Sequence, residues 1–334
     1  MLRYPAGIIN AVGVTPTGPL ATGTASGVWT LAEVDYWTGL NLWPIAGNVP
    51  TPPRGLYAGG DSTATSYINI PTLGNATFFG NLTSANRSTI GGCASATRAV
   101  FAGGISNNTI DYFEFSTLGT ATSFGVLTTA TLGLAGCNSS TRGVFGGGSD
   151  SGGVTSAMTY ITIASTGNSQ VFGSLTVSSN YIASCSSPTR GLFAGGTTGA
   201  DTSVIGYITI ASLGNALSFG NLSAATARAA GCSSSTRGLF AGGLTSGSRT
   251  AAITYVTIAT LGNSLSFGNL GVATQLAAGV SSTTRAVFNP GGNTSSYEDL
   301  GYVEIATLGN AAVFGTALYV AAGSGACSNA NGGL

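Results

Sequence analysis

The segment Thr236-Arg237-Gly238-Leu239-Phe240-Ala241-Gly242-Gly243 returns along this chain with small changes. Copies run from Thr189 to Gly196, Thr141 to Gly148, Thr97 to Gly104 and Pro53 to Gly60, and a degenerate one runs from Thr284 to Gly291. Their arginines, Arg54, Arg98, Arg142, Arg190, Arg237 and Arg285, are spaced by 44, 44, 48, 47 and 48 residues. A fixed period of this length means copies of one supersecondary unit stacked side by side, because no copy can bury its apolar face alone.

Each period holds four strand-like bursts. Around Arg237 they are Ala229–Ser233, then Gly238–Gly242, then Ile253–Ile258 with period-two alternation, then Leu265–Leu270. Leu261-Gly262-Asn263 separates the last two, and its Asn and Gly are expected to reach left-handed backbone angles at little cost. Four antiparallel strands, repeated six times, describe an all-β, six-bladed β-propeller over residues 53–334. Composition agrees: 43% of residues are hydrophobic, only 6% are charged and 53 are Gly. Exposed amphipathic helices need charged outer faces, whereas short strands and tight turns do not.

The order Arg-Ala-Ala-Gly-Cys (228–232), Leu-Phe-Ala-Gly-Gly (239–243), Tyr-Val-Thr-Ile (255–258) and Leu-Gly-Asn, followed by an aromatic, resembles a kelch repeat. The likeness covers residues 54–334. It departs from the family where Phe79, Phe124, Phe172, Phe219, Phe267 and Phe314 replace the late tryptophan, and where the usual acidic residue after the third strand is missing.

Cys93, Cys137, Cys185 and Cys232 each stand five residues before a repeat arginine, and Val280 takes that place before Arg285. A Cys–Val exchange at equivalent positions predicts small buried side chains, not ligands or disulfides. Cys327 sits in a first strand with no repeat after it, and the repeat of Arg54 lacks a first strand before it. The last strand should therefore complete the blade opened by Arg54–Gly60 and remove two sheet edges.

Residues 1–52 do not repeat. Thr30-Leu31-Ala32-Glu33 reads as a capping box opening a short helix near 31–39. Trp29, Tyr36, Trp37 and Trp43 crowd this arm and are the candidate anchors, either capping the propeller or fixing the chain to a larger particle. The string Ala25–Glu33, ending in Asn41-Leu42-Trp43-Pro44, resembles a segment of tail-fibre and related virion proteins of tailed bacteriophages, cyanophages in particular. That resemblance implies a virion location, other virion proteins as partners of the arm, and assembly as a homo-oligomer in the particle.

Much chemistry is excluded. The chain has no Lys and no His, which removes the usual general base and Schiff-base nucleophile. No enzyme activity, cofactor or metal is expected, beyond a weak Ca²⁺ reading of Glu298, Asp299 and Glu304. Net charge is zero, so counterion-driven nucleic-acid binding is not expected. No apolar run approaches the ~20 residues of a membrane span, and the N-terminus does not read as a signal peptide.

The repeat arginines are expected to circle one mouth of the channel. They either bind carbonyls of the adjacent blade or form an anion or acidic-sugar site. Loops 61–66, 105–110, 149–158, 197–206, 244–253 and 293–301 are expected on the opposite face, where such scaffolds present binding surfaces. The reading is a virion structural protein, a tail-fibre or adsorption module that could bind a host-surface glycan. Its alternatives are a decoration or cement protein and a free lectin-like propeller.

Overall fold

The second strand of each repeat reads almost continuously apolar, while the third alternates, and their depth explains the difference. In the computed structural model, residues 52–334 are described, apart from 61, 86, 293–297 and 320–321. Arg237–Ala241 is buried at every position after its arginine, as a strand covered on both faces must be. Val204–Thr209, one strand further out, ends on an exposed residue. The arm, with the expected helix at 31–39 and Trp29, Tyr36, Trp37 and Trp43, lies outside the described residues.

Blade 2 shows the common plan. Gly91–Ala94, Arg98–Ala102, Thr109–Glu114 and Thr122–Val126 pair antiparallel in chain order from the axis outward. Blades 3, 4 and 6 repeat it around inner strands Ala135–Asn138, Ala183–Ser186 and Ala278–Ser281. Blade 5, with inner strand Ala230–Ser233, extends its third and outer strands to Ser248–Thr257 and Leu265–Thr274 and adds Leu244–Thr245. Blade 1 joins the two ends of the propeller: inner strand Ser324–Ser328 pairs with Arg54–Gly59, setting Cys327 opposite Leu56. The inner strands then touch in an unbroken cycle, blade 6 against blade 1 included. The six-bladed, all-β propeller closed by its last strand is thus the observed fold.

The core is divided by blade interface. One buried cluster joins Cys93, Val100, Ile110 and Phe124 of blade 2 to Phe145 and Ile161 of blade 3. Another joins Tyr57 and Ile68 of blade 1 to Val287, Leu300 and Phe314 of blade 6. Six such clusters correspond to the six interfaces. Flat apolar faces packed this way supply most of the stabilisation.

Near the axis, space sets the sequence. The residue before each cysteine faces the preceding blade, and a Cβ on Gly136 would meet the carbonyl of Gly92 there. The cysteine faces the following blade. The thiols of Cys93, Cys137 and Cys185 fill the places where Gly143, Gly191 and Gly238 lack a Cβ, and Val280 does the same over Gly55. All five thiols are free and buried, as the Cys–Val exchange predicts.

The residue after each cysteine builds a circle of hydrogen bonds between blades. The amide of Ala94 donates to Asn138 Oδ1 (3.2 Å), that of Asn138 to Ser186 Oγ (3.4 Å), and that of Ser186 to Ser233 Oγ (3.1 Å). Ser233 and Ser281 continue it to Ser281 Oγ (3.3 Å) and Ser328 Oγ (3.4 Å). The hydroxyls of Ser233, Ser281 and Ser328 donate back to the carbonyls of Ser186, Ser233 and Ser281. Ala94 has no side-chain oxygen to offer Ser328, so the circle stops between blades 1 and 2. Ser233→Ala should lower unfolding free energy by about 1–3 kcal/mol, because it strands a buried amide. Ala94→Ser should raise it by up to about 1 kcal/mol by supplying the missing acceptor. Denaturant titration of both variants checks the pair, and equal stability of all three chains would contradict the circle.

Candidate functional site

The repeat arginines come first, because they recur in every blade. Each opens a second strand and lays its guanidinium over the third-strand tyrosine of its own blade. Guanidinium-to-ring distances run from 4.5 Å for Arg98–Tyr112, Arg190–Tyr207 and Arg237–Tyr255 to 5.0 Å for Arg54–Tyr67. Each tyrosine meets its outer-strand phenylalanine edge to face, as Tyr207 meets Phe219 at 6.2 Å.

Nη1 then crosses to the next blade. Arg142 donates to the carbonyls of Ile210 (2.9 Å) and Ala211 (2.8 Å), and Arg190 to those of Ile258 (2.7 Å) and Ala259 (3.0 Å). Arg98 and Arg237 repeat the pattern, and Arg285 closes the cycle on Ile70 and Pro71. Arg54 reaches Phe115 O. Of the two readings of these residues, binding to the adjacent blade is the one observed.

The expectation that they circle the channel mouth needs correction. Each guanidinium points away from the axis, over the third strand and onto the carbonyls that follow the third strand of the next blade. The tail occupies the mouth instead: Asn331 exchanges amide hydrogen bonds with Asn138 at 3.2 Å, and Gly332 and Gly333 lie against Ser186, Ser234 and Asn138.

Three further sequence readings change. The asparagines of the Leu-Gly-Asn turns do not take positive φ. Their side chains clamp the preceding blade, as Asn215 Oδ1 accepts the amide of Ser174 at 3.0 Å and Asn263 Oδ1 that of Asn221 at 2.9 Å. Glu298, Asp299 and Glu304 do not cluster. Asp299 and Glu304 are the two ends of one strand, and Glu304 is held by Arg285 at 2.7 Å. The variable loops are shorter than expected, because third strands begin earlier, at Ala64, Thr109, Ala157, Val204, Ser248 and Asp299.

An ion pair that no repeat announces lies between blades 1 and 2. Arg87 and Asp111 are both fully buried, 3.5 Å apart. Arg87 also donates to Thr109 O and Phe101 O, while Asp111 accepts from the hydroxyl and amide of Thr83. Burial pulls the Arg87 pKa below its ordinary value, against the pull of Asp111. Where the repeat puts Thr131 and Ser179, this blade has a charge, and removing either partner would leave the other uncompensated.

The opposite mouth is built by backbone. Thr89, Gly133, Tyr181, Arg228, Leu276 and Gly323 occupy equivalent positions before the inner strands. Each amide donates to the carbonyl of the preceding one, and Thr89 closes the circle on Gly323, at 2.6–3.1 Å. All six have positive φ, from 51° at Tyr181 to 76° at Gly323. Glycine accepts this at no steric cost, whereas other residues held there store about 1–3 kcal/mol of strain.

The variable loops join this rim, since Leu132 pairs with Ser149, Ala227 with Leu244 and Gln275 with Gly292. Blades 4 and 5 therefore hold two strained, polar-tipped side chains, Tyr181 and Arg228, at the centre of the loop side. The Arg228 guanidinium lies 4.6 Å over the Tyr181 ring and donates to Gln275 Oε1 at 2.9 Å. The sequence places Arg228 in the Arg-Ala-Ala-Gly-Cys motif without a role of its own; the clue to one is the unlike residue at 89, 133, 181, 228, 276 and 323.

No protein-family model matches this chain, and no curated protein matches it.

Two outcomes follow from these contacts. Arg142→Gln loses the ring contact and two charge-assisted hydrogen bonds, and should cost about 2–3 kcal/mol in chemical denaturation. The thiols supply a pH test. Burial pushes the Cys137 thiol up to about 12 and raises Cys93, Cys185, Cys232 and Cys327 above the ordinary thiol range. An unfolded thiol loses its proton near its ordinary value of 9.0, while the folded Cys137 holds it to about 12. In that window the unfolded state binds fewer protons, so stability is full below pH 9 and falls as pH rises. Thermal melts from pH 8 to 11 should show this fall, and Cys137→Val should lessen it.

Proposed function

We propose that this chain is a non-enzymatic structural protein of a tailed-phage virion, whose propeller serves as a tail-fibre or adsorption module. The observation that carries the reading is the contrast between the propeller's two sides. On the arginine side, near-identical turns recur and present Leu73, Leu118, Leu213, Leu261 and Leu308, each 55–59% exposed. On the loop side, the connections between second and third strands differ in length and sequence from blade to blade. A constant apolar rim suits attachment to repeated neighbours, and a variable polar face suits recognition.

The resemblance of residues 25–44 to virion segments and of residues 54–334 to kelch repeats supports the same assignment, as does the scarcity of charge. Trp29, Tyr36, Trp37 and Trp43 would fix the arm to other virion proteins. The leucine rim also fits a second reading, a decoration or cement protein that covers a tail or capsid surface without touching a receptor.

Binding of the purified, fluorescently labelled full chain to a panel of bacterial cells tests the adsorption role. Saturable binding to the cells that the particle infects is the expected result. Absence of binding to every cell the particle adsorbs to would leave only the decoration reading. A chain lacking residues 1–48 should fail to enter particles, and unchanged incorporation would overturn the anchoring role of the arm.

A further inference from the structure

We propose that the open cleft on the loop side of blade 5 binds an anionic saccharide, whose carboxylate or phosphate is held by Arg228 and Arg249. The proposal deepens the reading of the loop side as a recognition surface and rests on it.

The arginines differ in how many of their donors are committed within the protein. Among the described residues, Arg87, Arg98 and Arg285 pair with Asp111, Glu114 and Glu304. Arg142, Arg190 and Arg237 each commit Nη1 to two carbonyls of the next blade, and Arg54 to one. Arg228 and Arg249 are different. Arg228 makes one side-chain hydrogen bond, to Gln275, and Arg249 donates only its Nε, to Gly292 O at 3.1 Å. Neither is paired with a carboxylate among the described residues.

Both line one open cleft of about 410 Å³, with Ser248, Gln275, Leu244 and Ala273 in its wall. That volume falls within the range of small-molecule sites. The described acids on this side of the propeller, Asp150, Asp201, Glu298 and Asp299, are absent from its lining. Two positive charges therefore line one cleft where no acid among the described residues answers them, and their remaining N–H groups match the paired oxygens of a carboxylate or phosphate.

The rest of the wall selects the body of the ligand. Among the described residues that line it, Leu244 and Ala273 are the apolar side chains and none is aromatic. The nearby Tyr181 has a face covered by Arg228, so the described wall offers a nucleobase little to stack on. Ser248, Gln275 and the Gly247 backbone offer hydrogen bonds to hydroxyl groups instead.

The test titrates the full chain with three oligosaccharides alike except at one terminus: glucuronate, glucose 6-phosphate or glucose. Binding of at least one anionic form, at least tenfold tighter than the neutral one and weakened by raising salt from 0.05 to 0.5 M, is expected. Which anionic form binds tells carboxylate from phosphate. Arg249→Gln, on an exposed hairpin, should weaken that binding at least tenfold without changing the melting temperature. Arg228→Gln/Arg249→Gln should abolish it.

Equal binding of all three sugars, no binding to any, or full binding by Arg249→Gln would overturn the proposal. Cell binding of the same variants keeps the two readings apart. If Arg228→Gln/Arg249→Gln still binds cells like the parent chain, the cleft is wrong and adsorption stands. If the parent chain binds the acidic sugars but no cells, the cleft stands and adsorption fails.

Discussion

The guanidinium that each second strand sends across the gap between blades is the contact on which the rest of this propeller depends. Apolar sheet faces attract one another strongly but without direction, so they would tolerate sliding and twisting. A charged group aimed at two successive carbonyls tolerates neither. Arg190, lying on Tyr207 and bound to Ile258 O and Ala259 O, ties its own third strand to that of the next blade. Because the carbonyls sit just after the third strand, the same contact also positions the Leu-Gly-Asn turn, whose asparagine then clamps the outer strand behind it. The arginine thus sets blade angle and turn position at each interface, and at five of them an asparagine, at 75, 168, 215, 263 or 310, carries the register to the outer edge.

Closer to the axis, the controlling quantity is room. Inner strands approach until a Cβ at Gly136 would strike the neighbouring carbonyl, and the thiols are admitted only because glycine or alanine faces them. With so little space, polar groups are satisfied by circles: hydroxyls on the arginine side, backbone amides on the loop side. The backbone circle is closed by main-chain groups at all six positions, so it does not dictate which side chains stand there. Tyr181 and Arg228 stand at two of them. Arg228, laid on Tyr181 and bonded to Gln275, thus keeps donors that the repeat arginines commit to the next blade.

Much of this was legible in the sequence, and the gaps have physical causes. The arginine period gave the blade count, the Cys–Val exchange at 280 gave burial of the thiols, and the orphan strand at Cys327 gave the closure. Local periodicity sufficed because each blade repeats the same burial pattern. Directions were harder. Spacing puts Arg142 in the turn between two strands but cannot say whether its side chain runs toward the axis or across to Ile210. It also could not show that third strands such as Ser248–Thr257 begin well before their apolar residues, since hairpin pairing with Leu244–Thr245 carries the extension. Arg87–Asp111 and Arg228 escaped because they occur once, and a method that reads repetition is blind to single events. The arm's residues, Trp29, Tyr36, Trp37 and Trp43, lie outside the described residues.

Blade 1 draws its inner strand from Ser324–Ser328 and its second strand from Arg54–Gly59, so their contacts span most of the chain. During synthesis, five blades can emerge and assemble while the first waits with an open edge for a partner not yet made. Contacts of such sequence separation make folding slow, and the exposed edge of Arg54–Gly59 is meanwhile free to pair with the equivalent strand of another nascent chain. The same join that leaves the finished ring without a free inner edge makes Ser324–Ser328 the strand that decides between a closed monomer and an exchanged or aggregated one.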